Sequence, residues 1–173
     1  MQIRQAKSEE FISVRNFYWN LIEQMAGREN TIGWKIGIYP SDDFLSDSIR
    51  KSELYVLDSE NGYSACVIVN SSCNEGYNGC PWKVNCASDE ILVPHALAVS
   101  PNVQGKGIGK LVVQDIIEMA KASGKKSVRL DVLGGNIAAE RLYTKMGFEY
   151  IQSKTMFYED TGWTEYVVYE LVL

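Results

Sequence analysis

No apolar run in this chain approaches the ~18 residues that a membrane span needs, so no membrane partner is expected. The opening Met1-Gln2-Ile3-Arg4-Gln5-Ala6-Lys7 lacks the apolar core of a secretory signal, and a cytoplasmic location is the expectation. Basic residues are in deficit: 17 Lys and Arg against 22 Asp and Glu give a net charge of −5. A nucleic-acid face needs clustered cations, and the one basic cluster, residues 121–129, falls where a helix end would carry cations anyway, so nucleic acid is not an expected partner. None of the four cysteines, Cys66, Cys73, Cys80 and Cys86, forms a C-x-x-C pair. They read as buried or bystander thiols, and no metal is expected. Asn70-Ser71-Ser72 is a glycosylation sequon, which carries no weight without a secretion signal.

What is present is an ordinary globular composition, 46% hydrophobic and 23% charged over 173 residues, read as a single domain spanning 1–173. Ile3 to Lys7 suits a short opening strand. Phe11, Val14, Tyr18, Leu21, Ile22 and Met25 recur at helical spacing up to Gly27. Residues 28–40 read as a loop, and Ser41 before Asp42 and Asp43 opens a helix to about Lys51. Two strand-like runs, 53–58 and 63–70, flank an Asn61-Gly62 hairpin signal. Residues 71–89 form a polar insertion whose length suggests function or mobility. Ile91 to Val99 is nearly continuous in apolar residues, as in a buried strand, with Pro94 predicting a bulge or local unpairing. A helix from Ile108 to about Gly124, a strand over 127–132, a helix closed by Gly147 and final strands over 148–154 and 164–173 complete an α/β (α+β) pattern.

Three glycines on alternate positions, Gly105, Gly107 and Gly109, join the 91–99 strand to the helix after it. Glycines there let backbone N–H groups approach a ligand, and a helix N-terminus favours an anion, most often phosphate. A P-loop is excluded, because only three residues separate Gly105 from Gly109 and Lys110 is followed by Leu111. A dinucleotide fingerprint is excluded too: the chain has G-x-G-x-G, and Asp131 does not meet the need for an acidic partner on the next strand.

What does fit is Gln104-x-x-Gly107-x-Gly109 after Leu97-Ala98-Val99-x-Pro101, followed by Asn136-x-x-Ala139-x-x-Leu142-Tyr143-x-Lys145-x-Gly147-Phe148. In order and separation these blocks resemble the GNAT family, the Gcn5-related N-acetyltransferases, closely over roughly residues 90–150 and by element order before that. The resemblance implies a mixed, mostly antiparallel sheet of six or seven strands, splayed between the strands at 91–99 and 127–132 and flanked by about four helices. It implies acetyl-CoA as cosubstrate, with pyrophosphate on the amides of Gln104, Gly105, Lys106, Gly107, Ile108, Gly109 and Lys110. The pantetheine arm would pair with Leu97, Ala98 and Val99 like an added strand. Asn136 and Ala139 would contact that arm, and Tyr143 would stand near the thioester sulfur as the acid.

The base stays open among three readings. His95, the only histidine, has an ordinary pKa suited to neutral pH. Strand alternation would put Val93, His95 and Leu97 on one face. The string His95-Ala96-Leu97-Ala98-Val99 resembles that of arylalkylamine N-acetyltransferases, in which histidines on this strand relay protons; where those carry a second histidine, and many members a glutamate, this chain has Val93. Asp89 and Glu90 at the strand entrance are the fallback, and unassisted deprotonation is the third reading. Carbonyl polarisation would fall to a backbone N–H at 97–99. The acceptor, a primary amine and foremost a small molecule, would lie among Tyr18, Trp34, Tyr77, Trp82, Phe157, Tyr158 and Trp163. Each of these reads equally as a core or oligomer contact, and a homodimer stays open. The rival from another class is a non-catalytic acetyl-CoA sensor, which would lack Tyr143 or an open acceptor cleft.

Overall fold

The computed structural model describes residues 2–27 and 32–173, so residues 28–31 of the expected 28–40 loop lie outside the described residues. Seven strands form an open sheet: β1 (Arg4–Gln5), β2 (Leu54–Ser59), β3 (Gly62–Asn70), β4 (Ile91–Val99), β5 (Ser127–Leu133), β6 (Glu149–Tyr158) and β7 (Gly162–Val172), in the order β1-β2-β3-β4-β5-β7-β6. Four helices accompany them: α1 (Phe11–Met25), α2 (Asp42–Arg50), α3 (Ile108–Ala122) and α4 (Ile137–Lys145). None is long and apolar enough to cross a membrane.

All strand pairs are antiparallel except β4 with β5. That parallel pair is held at only two rungs, Ile91 with Ser127 and Leu92 with Val128. Pairing stops just short of Pro94, whose ring nitrogen has no hydrogen to donate. The expected mixed sheet, splayed at this place, is therefore the fold.

The two faces of the sheet are covered differently. Val112, Val113, Ile116 and Ile117 of α3 and Tyr143 of α4 pack on Val67, Leu92, Leu130 and Val167. On the opposite face Val14, Tyr18 and Leu21, at helical spacing along α1, join Leu45 and Ile49 of α2 over Val56, Ile68 and Ala98. The Ser41 hydroxyl accepts from the Phe44 N–H at 3.1 Å and caps α2, as its sequence signal predicts. These two helices cover only the β1–β4 half. Over β6 and β7 the same face is covered by the 71–89 segment, through Tyr77 and Cys80 against Met156, Tyr166 and Val168.

The 71–89 segment is therefore not a mobile insertion. Arg129, 5% exposed, pairs with Glu170, 1% exposed, at 2.8 Å. The pair reaches outward to hold the segment: Arg129 donates to the Val84 carbonyl at 2.6 Å and stacks on Trp82, while Glu170 accepts from the Lys83 N–H at 2.6 Å. Lys154 adds two bonds, to the carbonyls of Gly76 and Asn78. A buried pair keeps its charges only when their hydrogen bonds are met, and the segment supplies those bonds.

Candidate active site

The glycine-rich loop places α3 with its N-terminus open. Gly105 and Gly107 have φ of +78° and +83°, a left-handed backbone that favours glycine. The first intrahelical bond runs from the Leu111 N–H to the Gly107 carbonyl, and no side chain caps the turn. Helix termini leave such first-turn amides unpaired and carry a partial positive charge, which suits an anion. Gly109 serves differently. Its backbone is ordinary helix, and a Cβ there would stand 3.1 Å from Leu142 Cδ2, so this glycine sets how closely α3 meets α4.

On β4 the bulge lies at Ala96 rather than at Pro94, which pairs in register with Val69. Three steps along β4, from His95 to Ala98, oppose two along β3, from Ile68 to Cys66. Ala96 takes φ +49°, and its carbonyl accepts from the buried Tyr18 hydroxyl at 2.8 Å. The extra residue breaks the alternation. His95 turns to the α1/α2 face and meets the Phe44 ring edge-on, whereas Leu97 and Val99 join the α3 side. His95 and Leu97 do not share a face, and this corrects the expectation from strict alternation.

Two cavities meet at this split. A cleft of about 590 Å³ runs between the free stretch of β4, the glycine loop and α4. All the predicted cofactor residues line it except Lys106 and Tyr143. Lys106 is exposed and its N–H is spent on the Val103 carbonyl. The Asn136 side chain accepts from the Ala139 N–H, capping α4 at the cleft wall, and Gln104 donates to the Val99 carbonyl. A smaller cavity of about 130 Å³ shares Trp34, Leu97, Asn136 and Ala139 with the cleft, and adds His95, Tyr143, Asp131 and Asp160.

Tyr143 is 7% exposed and packs edge-on against Phe148. Its hydroxyl has no hydrogen-bond partner among the described residues. Burial, and secondarily the charge of Asp131, pushes the phenol above its ordinary value, so it is a protonated donor at neutral pH. His95 Nε2 lies 2.9 Å from Asn70 Oδ1. Asn70 gives its amide hydrogens to Glu53, and its oxygen also accepts from the Ser72 N–H. An oxygen only accepts, so Nε2 carries the proton and Nδ1 keeps the lone pair. Burial lowers the imidazole to about 4, opposed by a weaker hydrogen bond to the Ser72 backbone, and it is neutral at physiological pH.

Glu90 is not brought to either cavity. It pairs with Lys126 at 2.6 Å and accepts from the Ala87 N–H at the entrance of β4, contacts that lower its pKa. The fallback base is therefore occupied away from the site. Of the seven aromatic candidates, Trp34 and Tyr158 line the small cavity. Tyr18 is core, Trp82 lies over Arg129, and Phe157 and Trp163 face solvent at 51% and 74% exposure.

Sequence reasoning nominated neither carboxylate of this cavity. Asp131 Oδ2 accepts from the Tyr77 hydroxyl at 2.9 Å and the Tyr158 hydroxyl at 2.7 Å. Desolvation raises its pKa, and those two bonds oppose the rise. Asp160, 3% exposed, sits in the β6–β7 turn, held by its own and the Thr161 amides; desolvation again raises it. A lone aspartate on a strand and another in a turn give no sequence signal, because the tyrosines that organise Asp131 stand 54 and 27 positions away.

A sequence profile of the acetyltransferase (GNAT) family matches residues 19–148. An uncharacterized N-acetyltransferase of Methanocaldococcus jannaschii is 31% identical over 90 residues, which are 52% of this chain and 40% of that relative's length. Among solved structures, a GNAT-family acetyltransferase of Streptococcus agalactiae superposes with a TM-score of 0.82 at 19% identity, covering 99% of this chain and 95% of the other. A phosphinothricin acetyltransferase of Sinorhizobium meliloti, solved in complex with acetyl-CoA, gives 0.69 at 19% identity, covering 99% and 88%.

Proposed function

The chain belongs to the acetyltransferase (GNAT) family, and on that premise we propose that it transfers the acetyl group of acetyl-CoA to a primary amine, with both substrates bound at once. The observation that carries this reading is the junction of the two cavities at Trp34, Leu97, Asn136 and Ala139. The larger cleft offers what a pantetheine pyrophosphate needs, namely a strand edge free of its neighbour beyond Leu92 and an uncapped helix N-terminus. The smaller one offers a partly enclosed, partly aromatic place for an amine.

The cosubstrate supplies an acetyl thioester, whose thiol has an ordinary pKa near ~8.5 and leaves tolerably as the anion. Tyr143, with its phenol held above its ordinary value, stabilises the departing sulfur as a hydrogen-bond donor rather than surrendering its proton outright. His95 presents a neutral Nδ1. A base lowered to about 4 does not take a proton from an alkylammonium near neutrality, so the amine loses its proton to water before attack, and Nδ1 accepts a hydrogen bond from the neutral amine. The thiols give no rival route: Cys66 lies in the α1/α2 core, its pKa raised by burial, and the other three belong to the 71–89 segment, outside both cavities. A sensor without catalysis is disfavoured by Tyr143 facing an acceptor cavity.

The test is calorimetric titration with acetyl-CoA, followed by free-thiol release over a panel of amines. Binding together with amine-dependent release supports transfer. Binding with no release on any amine supports the sensor, and preference for ATP or NAD over CoA removes both readings.

A further inference from the structure

The proposed function leaves the acceptor as any primary amine, and the charge inside the small cavity narrows it. Asp131 and Asp160 both line a space of about 130 Å³, and among the described lining residues no Lys or Arg accompanies them. The only other ionisable nitrogen there is His95, neutral at physiological pH. Lys35, exposed and outside the lining, acts on Asp160 only through space. Both carboxylates are organised to accept. Asp131 takes two phenol hydrogens on Oδ2, and Oδ1 has no partner among the described residues. Asp160 is almost wholly buried yet reaches the cavity. Tyr143, a buried residue whose hydroxyl has no partner among the described residues, lines the same space. The rings of Tyr39, Tyr158 and Tyr166 line the same space, and they suit the methylenes of a slender chain and the face of a cation.

The carboxylates are also ordered along the cavity. Asp131 stands on β5, the strand beside the free edge of β4, whereas Asp160 stands in the β6–β7 turn, beyond β5 in the strand order β4-β5-β7-β6. Asp131 is thus the nearer to the transfer end and Asp160 the farther. Resting on the transferase reading above, we infer that the acceptor is a slender aliphatic amine with a second cationic group and no carboxylate, its reacting nitrogen beside Asp131 and its distal ammonium at Asp160. Two carboxylates in one cavity, with no Lys or Arg in its lining, favour a doubly charged guest and repel a carboxylate. Tyr77 and Tyr158 act as positioning residues, because they fix the oxygen of Asp131.

Three four-carbon amines that differ only at the far end test this: 1,4-diaminobutane, n-butylamine and 4-aminobutanoate, with a lysine-containing peptide as a fourth acceptor. Thiol release should give a kcat/KM for the diamine at least ~10-fold above the monoamine and ~100-fold above the amino acid. Asp160→Asn should bring the first three within about 3-fold of each other while acetyl-CoA affinity holds. Asp131→Asn, as a second variant, should lower turnover of both the diamine and the monoamine. Equal or better turnover of 4-aminobutanoate, an unchanged ranking in Asp160→Asn, or a peptide that outperforms the diamine each overturns the inference. Uniform turnover of all amines removes the charge selection and leaves the transferase reading standing. Acetyl-CoA binding with no turnover at all removes both. If Asp160→Asn does not fold, the ranking on the unaltered chain decides.

Discussion

The Tyr18 hydroxyl donates to the Ala96 carbonyl at 2.8 Å, across 78 positions of sequence. Tyr18 is wholly buried, and Ala96 is the residue whose left-handed backbone makes the β4 bulge. Tyr18→Phe would leave a buried carbonyl without its partner. The expected cost is about 1–3 kcal/mol in urea unfolding, together with a fall in kcat/KM as His95 and Leu97 lose their separate faces. Lost stability with undiminished activity would show that the bulge does not depend on Tyr18.

Gly107 and Gly109 should fail differently. Gly107→Ala forces a side chain onto φ +83°, where nothing crowds the Cβ, so it strains the loop by roughly 1–2 kcal/mol and weakens acetyl-CoA binding in calorimetry. Gly109→Ala meets Leu142 instead, and its effect should be non-additive with Leu142→Ala in a double-mutant cycle, by about 0.5 kcal/mol or more. Additive effects would place the two side chains out of contact.

Tyr143→Phe removes the hydroxyl and keeps the Phe148 contact. Turnover should fall by ~10- to 1000-fold with acetyl-CoA affinity nearly unchanged. Unchanged turnover in thiol-release kinetics removes the donor role.

The pH dependence follows from His95. Folded, it sits at about 4, and its unfolded value is 6.5, so the unfolded chain binds the proton more readily. Its stabilising contribution is complete above pH 6.5 and is lost as the pH falls toward 4. In kcat/KM no inflection is expected near 6.5; the rate should rise toward the pKa of the amine, and His95→Gln should lower the profile without moving it. An inflection near 6.5 that vanishes in His95→Gln would restore an ordinary histidine base.

Glu170→Ala strands the buried Arg129 charge and should cost about 3–5 kcal/mol in chemical unfolding. It also removes the acceptor of the Lys83 N–H, so limited proteolysis should cut within 71–89 faster than in the parent. Equal cleavage rates would mean that the segment holds without this pair.

The readable part of the chain was the part whose chemistry is local. The glycines of the loop, Ser41 before its helix and the Asn136 to Phe148 block each carry their reason within a few residues. Ala96 does not, since alanine gives no sign of a left-handed backbone. Of the two outcomes expected at Pro94, local unpairing is the one found, where β4 leaves β5, and the bulge lies two residues on. Length made 71–89 look loose, because Arg129 and Glu170, which hold it, lie far downstream. Asp131 acquires meaning only once Tyr77 and Tyr158 fold onto it.

The two rungs that join β4 to β5 make the sheet a pair of jaws on one short hinge. His95 rides on one jaw; Asp131, Asp160 and Tyr143 ride on the other. Donor and acceptor are thus aligned by the opening angle at Ile91 and Leu92, with no single strand carrying both. A ligand lying along the free edge of β4 would wedge that angle at one value, so occupancy of the cleft should tune the reach of the amine site through the wall that the two spaces share.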